Sequence, residues 1–508
     1  MTRTAQDIGR GLAPARASRA LQPGERIHVI GAAGAGASAA ALLASSAGAA
    51  VNGCDPGGPS PYTLALVEAG VPIEWEHSAT HVRGPHGERL VDRVAATKAL
   101  TSIAPDHAEL EATRAIGVPL EAWQQVIADA AATHGGRLVG VSGTHGKSTS
   151  AGWLVHVLVA AGRDPAAFVG ALLPADLTGG TPGTARWGNG DVFVVEADEY
   201  AGNFDPYRTD LALVLNAEWD HPDVFADGAA VLDAFEKWLL APGAERRTVV
   251  LNVGDAGGAD LAGRLDGRVA RVVRVRLAED GGDAGKASEF VGHLRSGGLL
   301  SVQEADGSPR TEAKLLLAGR HNAANALCVA ATAALLGVPA PAIEAGLATF
   351  RGVGRRLEFK GEPLGVAVYD DYGHHPTAIA ASIAALRERH PGRRILAVYE
   401  PLTFHRTAAM LEQFADVLAD ADEAYVADIW AGRDPDTTIT SSVALAAAIN
   451  ARDRAPAAPT GSVEATADSL VALARPGDVV LVMGGGRSYV IAERLVESLN
   501  RLAASADG

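Results

Sequence analysis

The sequence predicts an α/β protein of three domains. Its 508 residues correspond to about three domains at the common size of roughly 150 residues each. Short apolar runs alternate along the chain with alanine-rich and leucine-rich segments of helical character. Twice, at 31–36 and at 143–148, a glycine-rich turn follows an apolar strand and precedes a helix. This order of elements is typical of the start of a parallel α/β unit.

The composition excludes several classes of protein. Apolar residues make up 48% and charged residues 20% of the chain, which is typical of a folded protein rather than a disordered one. The net charge of −16 argues against general binding to nucleic acid or to an anionic membrane. Two cysteines, Cys54 and Cys328, cannot form a disulfide framework, so we expect a cytoplasmic protein. We recognise no membrane span and no secretory signal, and we expect residues 1–20 to be a mobile tail.

The first domain, expected at 21–134, opens with a strand at 26–30, a glycine-rich turn, a helix and a second strand that ends before Asp55. The turn resembles a dinucleotide-binding loop, although its glycines come in the reverse order of the usual G-x-G-x-x-G. A helix start presents free backbone N–H groups, which bind phosphate. The pattern predicts a phosphate or a nucleotide near four residues of this turn, which are Gly31, Gly34, Ala35 and Gly36.

The second domain, expected at 135–350, contains the strongest local motif of the chain. A strand at 137–141 is followed by a loop and a helix that ends at Gly162. In such a loop Lys147 would reach the outer phosphates of a nucleotide, and the Ser148 hydroxyl would ligate Mg²⁺. The first glycine of the standard phosphate loop is replaced by valine here, and an ordinary glycine turn with an exposed lysine is the alternative. The motif consists of Gly143, Thr144, His145, Gly146, Lys147, Ser148 and Thr149.

Two further strands of this domain end in polar residues. Glu196 begins an acidic run directly after the strand at 191–196, where a carboxylate would hold Mg²⁺ beside a triphosphate. The alternative is a solvated acidic loop. The strand at 211–215 leads to His221, which either ligates a metal or caps a loop. Residues 278–312 are rich in Gly, Asp and Ser and suggest an antiparallel insertion.

The third domain, expected at 351–508, repeats the alternation of strands and helices after a glycine-rich hinge at 350–356. Asp371 and two histidines, His374 and His375, lie between the strand at 366–369 and the next helix. Arg406 follows the strand after that. Together these side chains would bind a carboxylate and steer an amine. The alternative is that Asp371 or Thr377 only caps the helix.

The whole set of motifs resembles the Mur ligases, the ATP-dependent amide-forming enzymes of peptidoglycan synthesis. The resemblance covers about residues 25–500, and its motifs come in the family's order. It implies a Rossmann-like N-terminal domain for a UDP-sugar, a central P-loop-type ATPase domain for Mg·ATP, and a Rossmann-like C-terminal domain that closes and brings the amino acid. The matching stretches are 28–36, 143–149, 196–199, 220–221, 319–326, 352–356 and 370–376.

The resemblance also implies roles for single residues. Lys147 would contact the ATP phosphates, while Ser148 and Glu196 would hold one Mg²⁺ and His221 a second. Arg406, with His374 or His375, would seat the amino acid. The remaining roles are adenine contacts by His321, Asn322 and Asn325, nucleotide contacts on closure by Arg356 and Asp371, and UDP-sugar contacts by the 31–36 turn and Asp55.

The implied reaction has two steps. The carboxylate of UDP-N-acetylmuramate attacks the γ-phosphate of ATP to give an acyl phosphate, and the amine of L-alanine then displaces phosphate. Residues 400–406, Glu-Pro-Leu-Thr-Phe-His-Arg, depart from the pattern of alanine-adding members and lean toward those that add a murein tripeptide, so the tripeptide stays an alternative amine. An NAD(P)-dependent oxidoreductase and a binding protein without turnover are further alternatives. A monomer and a homodimer are both compatible with the sequence.

Overall fold

The computed structural model describes residues 3–280, 288–432, 434 and 436–506. In these ranges the chain forms three β-sheets flanked by helices, which confirms the predicted α/β class and the three-domain fold. The described residues divide into two compact units. The first unit contains positions up to 220, 224–316 and 322–353, and so it holds the first two sheets. The second unit contains 221–223, 317–321 and the chain from 354 onward.

The first sheet has the Rossmann-like topology that the sequence predicts. Its five described strands are parallel and lie in the order β3-β2-β1-β4-β5. The chain moves outward from β1 to β3 and then returns to β4, so the switch point follows β1, where ligands bind in such sheets. The strands are β1 Arg26–Ile30, β2 Ala50–Cys54, β3 Ile73–Glu74, β4 Arg93–Ala96 and β5 Leu120–Ala122; the helices are α1 Ala5–Ile8, α2 Ala35–Ser46, α3 Leu64–Glu68, α4 Lys98–Ile103, α5 Ala108–Ile116 and α6 Trp123–His134.

The expectation that residues 1–20 form a mobile tail is wrong for the described part of that segment. Residue Ile8 of helix α1 is fully buried. The Arg16 guanidinium lies 2.7 Å from the carboxylate of Asp129, which is itself buried beside Arg93. The Arg16–Asp129 ion pair joins residues 113 positions apart, so no local pattern in the sequence reports it.

The second sheet is built around β6, whose neighbours are β9 on one side and β10 on the other. This is again a switch point, and the predicted phosphate loop follows it. The expected antiparallel insertion is present as β13, β14 and β15, while positions 281–287 lie outside the described residues. The strands are β6 Arg137–Ser142, β7 Ala166–Leu173, β8 Gly183–Arg186, β9 Val192–Glu196, β10 Leu211–Val214, β11 Thr248–Asn252, β12 Arg271–Leu277, β13 Phe290–Arg295, β14 Leu299–Glu304 and β15 Pro309–Lys314; the helices are α7 Lys147–Ala160, α8 Ala175–Thr178, α9 Gly228–Leu239, α10 Ala256–Leu265, α11 Arg320–Leu335 and α12 Ala340–Thr349.

The third sheet has the order β16-β17-β21-β18-β19-β20, and only its edge strand β16 is antiparallel among the described strands. After β18 the chain forms two short helices rather than one, because the backbone turns at Met410. The strands are β16 Glu358–Gly361, β17 Ala367–Asp371, β18 Ile395–Glu400, β19 Glu423–Ala427, β20 Ala457–Gly461 and β21 Val479–Gly484; the helices are α13 Pro376–Arg389, α14 Phe404–Ala409, α15 Leu411–Leu418, α16 Ser442–Asn450, α17 Val463–Leu473 and α18 Ser488–Ala506.

None of the helices in the described ranges is long and apolar enough to cross a membrane.

Candidate active site

The loop between β6 and α7 has the geometry of a phosphate cradle. Gly143 and Gly146 have φ angles of 141° and 81°, which favour glycine. A Cβ at Gly143 would lie 3.2 Å from the backbone of Asn216, so the loop approaches that strand end too closely for a side chain. Gly146 is the N-cap of the 14-residue helix α7 and adds no side chain to the helix start. The first turn of the helix therefore presents backbone N–H groups at the loop, an arrangement suited to phosphate.

Lys147 is held inside this loop. Its Nζ donates to the carbonyl oxygens of Gly143 and Thr144 at 2.7 and 3.2 Å, and it lies 2.9 Å from Oε2 of Glu199. Burial would lower the pKa of Lys147, but the carboxylates of Glu199 and Asp198 outweigh it and raise that pKa. The lysine is thus a fixed cation. The alternative of an exposed lysine on an ordinary turn is wrong, since only 13% of this side chain is exposed.

Glu199 is the partner that the sequence motif did not assign. Its side chain is only 2% exposed, and burial raises its pKa to about 7 although Lys147 acts in the opposite direction. The pair therefore joins a permanent cation to a carboxyl group that titrates near neutrality. Glu199 lies three residues after Glu196 in the acidic run, so the signal was present, but the sequence did not distinguish among its three carboxylates.

Ser148 and Glu196 meet as the sequence predicts. The Ser148 hydroxyl donates to Oε1 of Glu196 at 3.1 Å, and the backbone N–H of Gly170 donates to Oε2 at 2.6 Å. A Cβ at Gly170 would lie 2.9 Å from the same carboxylate, so a larger residue at this strand position would displace the Glu196 side chain. Glu196 is buried rather than part of a solvated loop. A hydroxyl and a carboxylate are oxygen donors of the kind that Mg²⁺ prefers.

Other residues fix the loop from the sides. Asn216 accepts the backbone N–H of His145 at 2.8 Å and returns a bond to the His145 carbonyl at 3.1 Å. The Thr144 hydroxyl accepts the N–H of Glu218 at 2.8 Å. The sequence reasoning missed Asn216, whose only signal is its place directly after an apolar strand. Thr149 continues the helix and is buried.

Of the three residues expected to contact adenine, the first unit contains two. Asn322 and Asn325 are buried in α11. The Asn325 amide is so close to the phosphate loop that a Cβ at Gly146 would lie 2.9 Å from its oxygen and nitrogen. His321 belongs to the second unit and its side chain is exposed. The first unit thus brings Asn325 to the loop.

The glycine turn of the N-terminal domain is tied to the next strand. The N–H groups of Gly31 and Ala32 donate to the Cys54 carbonyl at 2.9 and 3.1 Å. Asp55 accepts the N–H of Ala33 at 3.0 Å and that of Gly57 at 2.9 Å, so its carboxylate shapes this turn. The turn therefore holds a fixed shape at the start of α2.

Two of the expected UDP-sugar residues stand at the start of α2, and a third lies against another helix. Gly34 is the N-cap of α2, and Ala35 is its first residue, so both present backbone at an anion-binding helix start. At Gly36 a Cβ would overlap the Trp123 ring of α6. Helix packing thus explains this glycine, and its contact with a substrate stays a prediction.

In the second unit, Asp371 is built into the turn after β17. Its carboxylate accepts the N–H groups of Leu357 and Gly373 at 2.7 and 2.6 Å, and burial raises its pKa although Arg356 acts against this. The Arg356 guanidinium lies 4.8 Å above the Tyr372 ring. This hinge is strained, because Leu357 has a positive φ of 49°.

The two histidines have different surroundings. His375 is the N-cap of α13, where its Nδ1 accepts the N–H of Thr377 at 3.3 Å. The capping alternative named Asp371 or Thr377, and the structure assigns the cap to His375 instead. The Nδ1 of His374 lies 2.8 Å from the Tyr372 carbonyl.

Arg406 is buried in α14, and its Nη2 lies 3.0 Å from Nδ1 of His221, which belongs to the same unit. This contact involves Nδ1 of His221, so Nε2 is the ring nitrogen with which His221 would bind a metal ion.

Two residues of the second unit escaped the sequence reasoning. Arg355 lies 3.3 Å from the buried carboxylate of Asp370 and donates to the Gly484 carbonyl and the Ser488 hydroxyl at 2.9 and 2.8 Å. Burial raises the pKa of Asp370 to about 6. Glu400, at the end of β18, is buried and has a pKa raised by burial. Arg355 therefore anchors the hinge, whereas the sequence motif pointed to the adjacent Arg356.

The fold and this site are those of a nucleotide-binding α/β enzyme with a phosphate loop beside a buried carboxylate. The chain belongs to the Mur ligase family. Three family models match it in order: "Mur ligase family, catalytic domain" over 26–134, "Mur ligase middle domain" over 141–333 and "Mur ligase, glutamate ligase domain" over 355–486.

Relatives named UDP-N-acetylmuramate–L-alanine ligase resemble the chain over nearly its whole length. The protein of that name from Kineococcus radiotolerans is 36% identical and that from Frankia casuarinae 35%; both alignments cover 94% of this chain and 96% or 99% of the relative. The solved UDP-N-acetylmuramate–alanine ligase of Thermotoga maritima is 25% identical, with a TM-score of 0.75, 94% of this chain covered and 99% of that one. A murein peptide ligase of Psychrobacter arcticus shares the fold at 23% identity, with a TM-score of 0.70, over 94% of this chain and 99% of its own.

Proposed function

We propose that this protein is an ATP-dependent ligase that joins L-alanine to UDP-N-acetylmuramate, with release of ADP and phosphate. The single observation that carries the proposal is the buried arrangement of Lys147, Glu199, Ser148 and Glu196 at the phosphate loop. The full-length similarity to L-alanine ligases at about a third identity supports the choice of substrates.

The first step transfers the γ-phosphoryl group to the muramyl carboxylate. This step concentrates negative charge, and fixed cations that face the phosphates stabilise it. Lys147 supplies one such cation, already oriented by two backbone carbonyls. The backbone N–H groups at the start of α7 supply further donors without a charge of their own.

Ser148 and Glu196 would hold Mg²⁺, because both offer oxygen donors and they lie within 3.1 Å of each other. When bound, Mg²⁺ would neutralise charge on the transferring phosphate. The Ser148 hydroxyl donates to Glu196, so this hydrogen bond occupies the oxygens that the cation would use. We propose His221 as a ligand of a second Mg²⁺ in the closed enzyme.

The acceptor carboxylate would enter a small cavity beside Glu196. This cavity lies between the first two domains, with Trp123 and Phe168 on its apolar side and Glu196 and Asp198 on its polar side. A diphosphate at the start of α2 would direct the muramyl end of the UDP-sugar toward it. The turn residues Gly31, Gly34, Ala35 and Gly36, with Asp55 behind them, would line that diphosphate site.

The second step needs the amine beside the acyl phosphate. Arg406, with His374 or His375, would seat the amino-acid carboxylate, since a buried guanidinium is a strong partner for a carboxylate. Arg356 and Asp371 would contact the nucleotide on closure, and His321, Asn322 and Asn325 its adenine. The domains that move would span 21–134, 135–350 and 351–508. Closure would keep water from the acyl phosphate.

The test is phosphate release from ATP with Mg²⁺ and UDP-N-acetylmuramate, run separately with L-alanine, glycine, L-serine and the tripeptide L-Ala-γ-D-Glu-diaminopimelate. We expect fast release with L-alanine and a product of matching mass. Release with the tripeptide alone would contradict the choice of amine and assign a recycling ligase. If no amine gives phosphate release, although the protein still binds ATP and the UDP-sugar, the proposal as a whole is contradicted.

We also place the enzyme in the cytoplasm, where ATP and UDP-sugars are found, and both of its cysteines are buried free thiols. Whether it works as a monomer or a homodimer is open to sedimentation measurements.

A further inference from the structure

The N-terminal domain contains a cluster of potential metal ligands that the ligase reaction does not use. His28 lies on β1, Cys54 ends β2, His81 ends a short 3₁₀ turn at Ala79–His81, and Glu109 lies in the first turn of α5. His28, Cys54 and Glu109 are each no more than 1% exposed. Four separate elements thus direct one histidine, thiol or carboxylate group each to a single buried point.

The ligand atoms of these four side chains all lie within 4.8 Å of one another. Oε1 of Glu109 lies 2.9 Å from Nε2 of His28 and 2.8 Å from Nδ1 of His81. Sγ of Cys54 lies 3.5 Å from the same oxygen. Ligands of a tetrahedral Zn²⁺ at about 2.0–2.3 Å are about 3.4 Å apart, so the shorter separations would widen by about 0.5 Å and the longest would close by about 1 Å or slightly more to admit the ion.

The donor set also matches the charge of a divalent ion. A thiolate and a carboxylate together carry two negative charges, and two neutral imidazoles add none, so the occupied site would be neutral. A buried site without net charge avoids the cost of an isolated buried ion. Nitrogen and sulfur donors favour Zn²⁺ and related transition metals over Mg²⁺.

The groups behind the ligands are those that support a metal site. Nδ1 of His28 lies 2.9 Å from the Asn52 side-chain oxygen, which would fix the ring with Nε2 toward the metal. The second carboxylate oxygen of Glu109 lies 3.1 Å from Nδ1 of His77. His77 and His81 are 16% and 10% exposed, so they form the side from which an ion would enter.

We propose that this cluster, named here the β1–β2–α5 site, binds one Zn²⁺-class transition-metal ion through His28, Cys54, His81 and Glu109. The ion would be a structural clip. It would join β1 and β2 to α5 directly beneath the glycine turn, because Cys54 precedes Asp55 and its carbonyl accepts the N–H groups of Gly31 and Ala32. On binding, the Cys54 thiol loses its proton to solvent and its sulfur bonds to the ion, without any redox change.

The test uses the full-length reduced protein, stripped of metal with a chelator and titrated with Co²⁺ and with Zn²⁺. A thiolate bound to Co²⁺ gives a near-ultraviolet charge-transfer band, and a tetrahedral site gives strong visible bands. The chain has two cysteines, so a matched pair of variants assigns the sulfur. We expect both bands at one ion per chain in the wild type and in Cys328→Ser, and neither charge-transfer band nor full visible intensity in Cys54→Ser.

Zn²⁺ competition against a chromophoric chelator gives the affinity. Loss of an outer contact of a metal site commonly weakens binding about 10- to 100-fold, so loss of Cys54 itself should cost at least about tenfold. Absence of the charge-transfer band in the wild type would overturn the proposal, as would its persistence in Cys54→Ser. If Cys54→Ser does not fold, X-ray absorption of Zn²⁺-loaded Cys328→Ser decides. One sulfur at about 2.3 Å with nitrogen or oxygen neighbours supports the site, and a shell without sulfur refutes it.

Discussion

Replacement of Lys147 by methionine should separate the catalytic role of the lysine from its role in stability. The change keeps most of the length of the side chain, one heavy atom shorter, and removes its charge. Turnover should fall by at least about 100-fold, as for the loss of one fixed electrostatic contact in a transition state. The effect on stability depends on Glu199, which lies 2.9 Å from the lost ammonium.

The magnitude follows from the pKa of Glu199. Its pKa is raised from 4.5 to about 7 by burial, so the contribution of Glu199 to the free energy of unfolding falls as the pH rises from 4.5 to about 7 and then levels off. Without Lys147 the pKa of Glu199 rises further, because the cation that opposed burial is gone. The decline then continues above pH 7 at about 1.4 kcal/mol per pH unit. The variant should fold well near pH 6 and lose stability at pH 8.

Urea unfolding of the wild type and Lys147→Met at several values of pH between 6 and 9 measures this effect. The difference in free energy of unfolding should be larger at pH 8 than at pH 6 by about 1.4 kcal/mol. Lys237→Met, at an exposed position of α9, is the surface control, and Glu199→Gln combined with Lys147→Met should remove the pH dependence. A difference that does not change with pH would refute the proposed coupling between Lys147 and Glu199.

Three further predictions concern other parts of the first unit. In the wild type the Arg93 guanidinium lies 2.6 Å from the buried carboxylate of Asp129, and Arg93→Ala removes this partner. Urea unfolding should show a free energy of unfolding lower by about 3–5 kcal/mol. The difference in free energy of unfolding between wild type and Arg93→Ala should become smaller in acid. Burial raises the pKa of Asp129, but the arginines outweigh burial and lower that pKa, so the stabilisation by the Asp129 carboxylate disappears as the pH falls. Gly36→Ala should lower the free energy of unfolding by about 1–3 kcal/mol, because the added methyl group overlaps Trp123. An unchanged urea midpoint would contradict this packing. Glu196→Gln should raise the Mg²⁺ concentration for half-maximal rate about 10-fold or more, and an unchanged Mg²⁺ dependence would exclude it as a ligand.

Local patterns were sufficient for the elements that carry the site. An apolar strand, a glycine turn and an amphipathic or alanine-rich helix follow one another at β1 and at β6, and the structure contains both units. Local patterns did not predict the elements whose structure depends on contacts between residues far apart in the chain. Strand β20, Ala457–Gly461, contains Pro459 and little apolar character, yet it pairs with β19 at the sheet edge.

The same division applies to the site. The motif at 143–149 predicted the loop, and a carboxylate at the end of β9 was expected for the cation. Which carboxylate pairs with Lys147 depends on the turn after β9, where Ala201 has a φ of 47°, and such a turn is not encoded by an acidic run alone. The choice between Arg355 and Arg356 likewise depends on the positive φ of Arg355, 58°, which directs that side chain to Asp370.

The central claim is ligation through an acyl phosphate, and transfer of oxygen tests it most directly. UDP-N-acetylmuramate labelled with ¹⁸O in its carboxylate is converted with ATP, Mg²⁺ and L-alanine, and the released phosphate is analysed by mass spectrometry. Attack by the carboxylate on the γ-phosphate and displacement by the amine would leave one labelled oxygen in each phosphate. Phosphate without label, alongside full formation of the amide, would contradict the account.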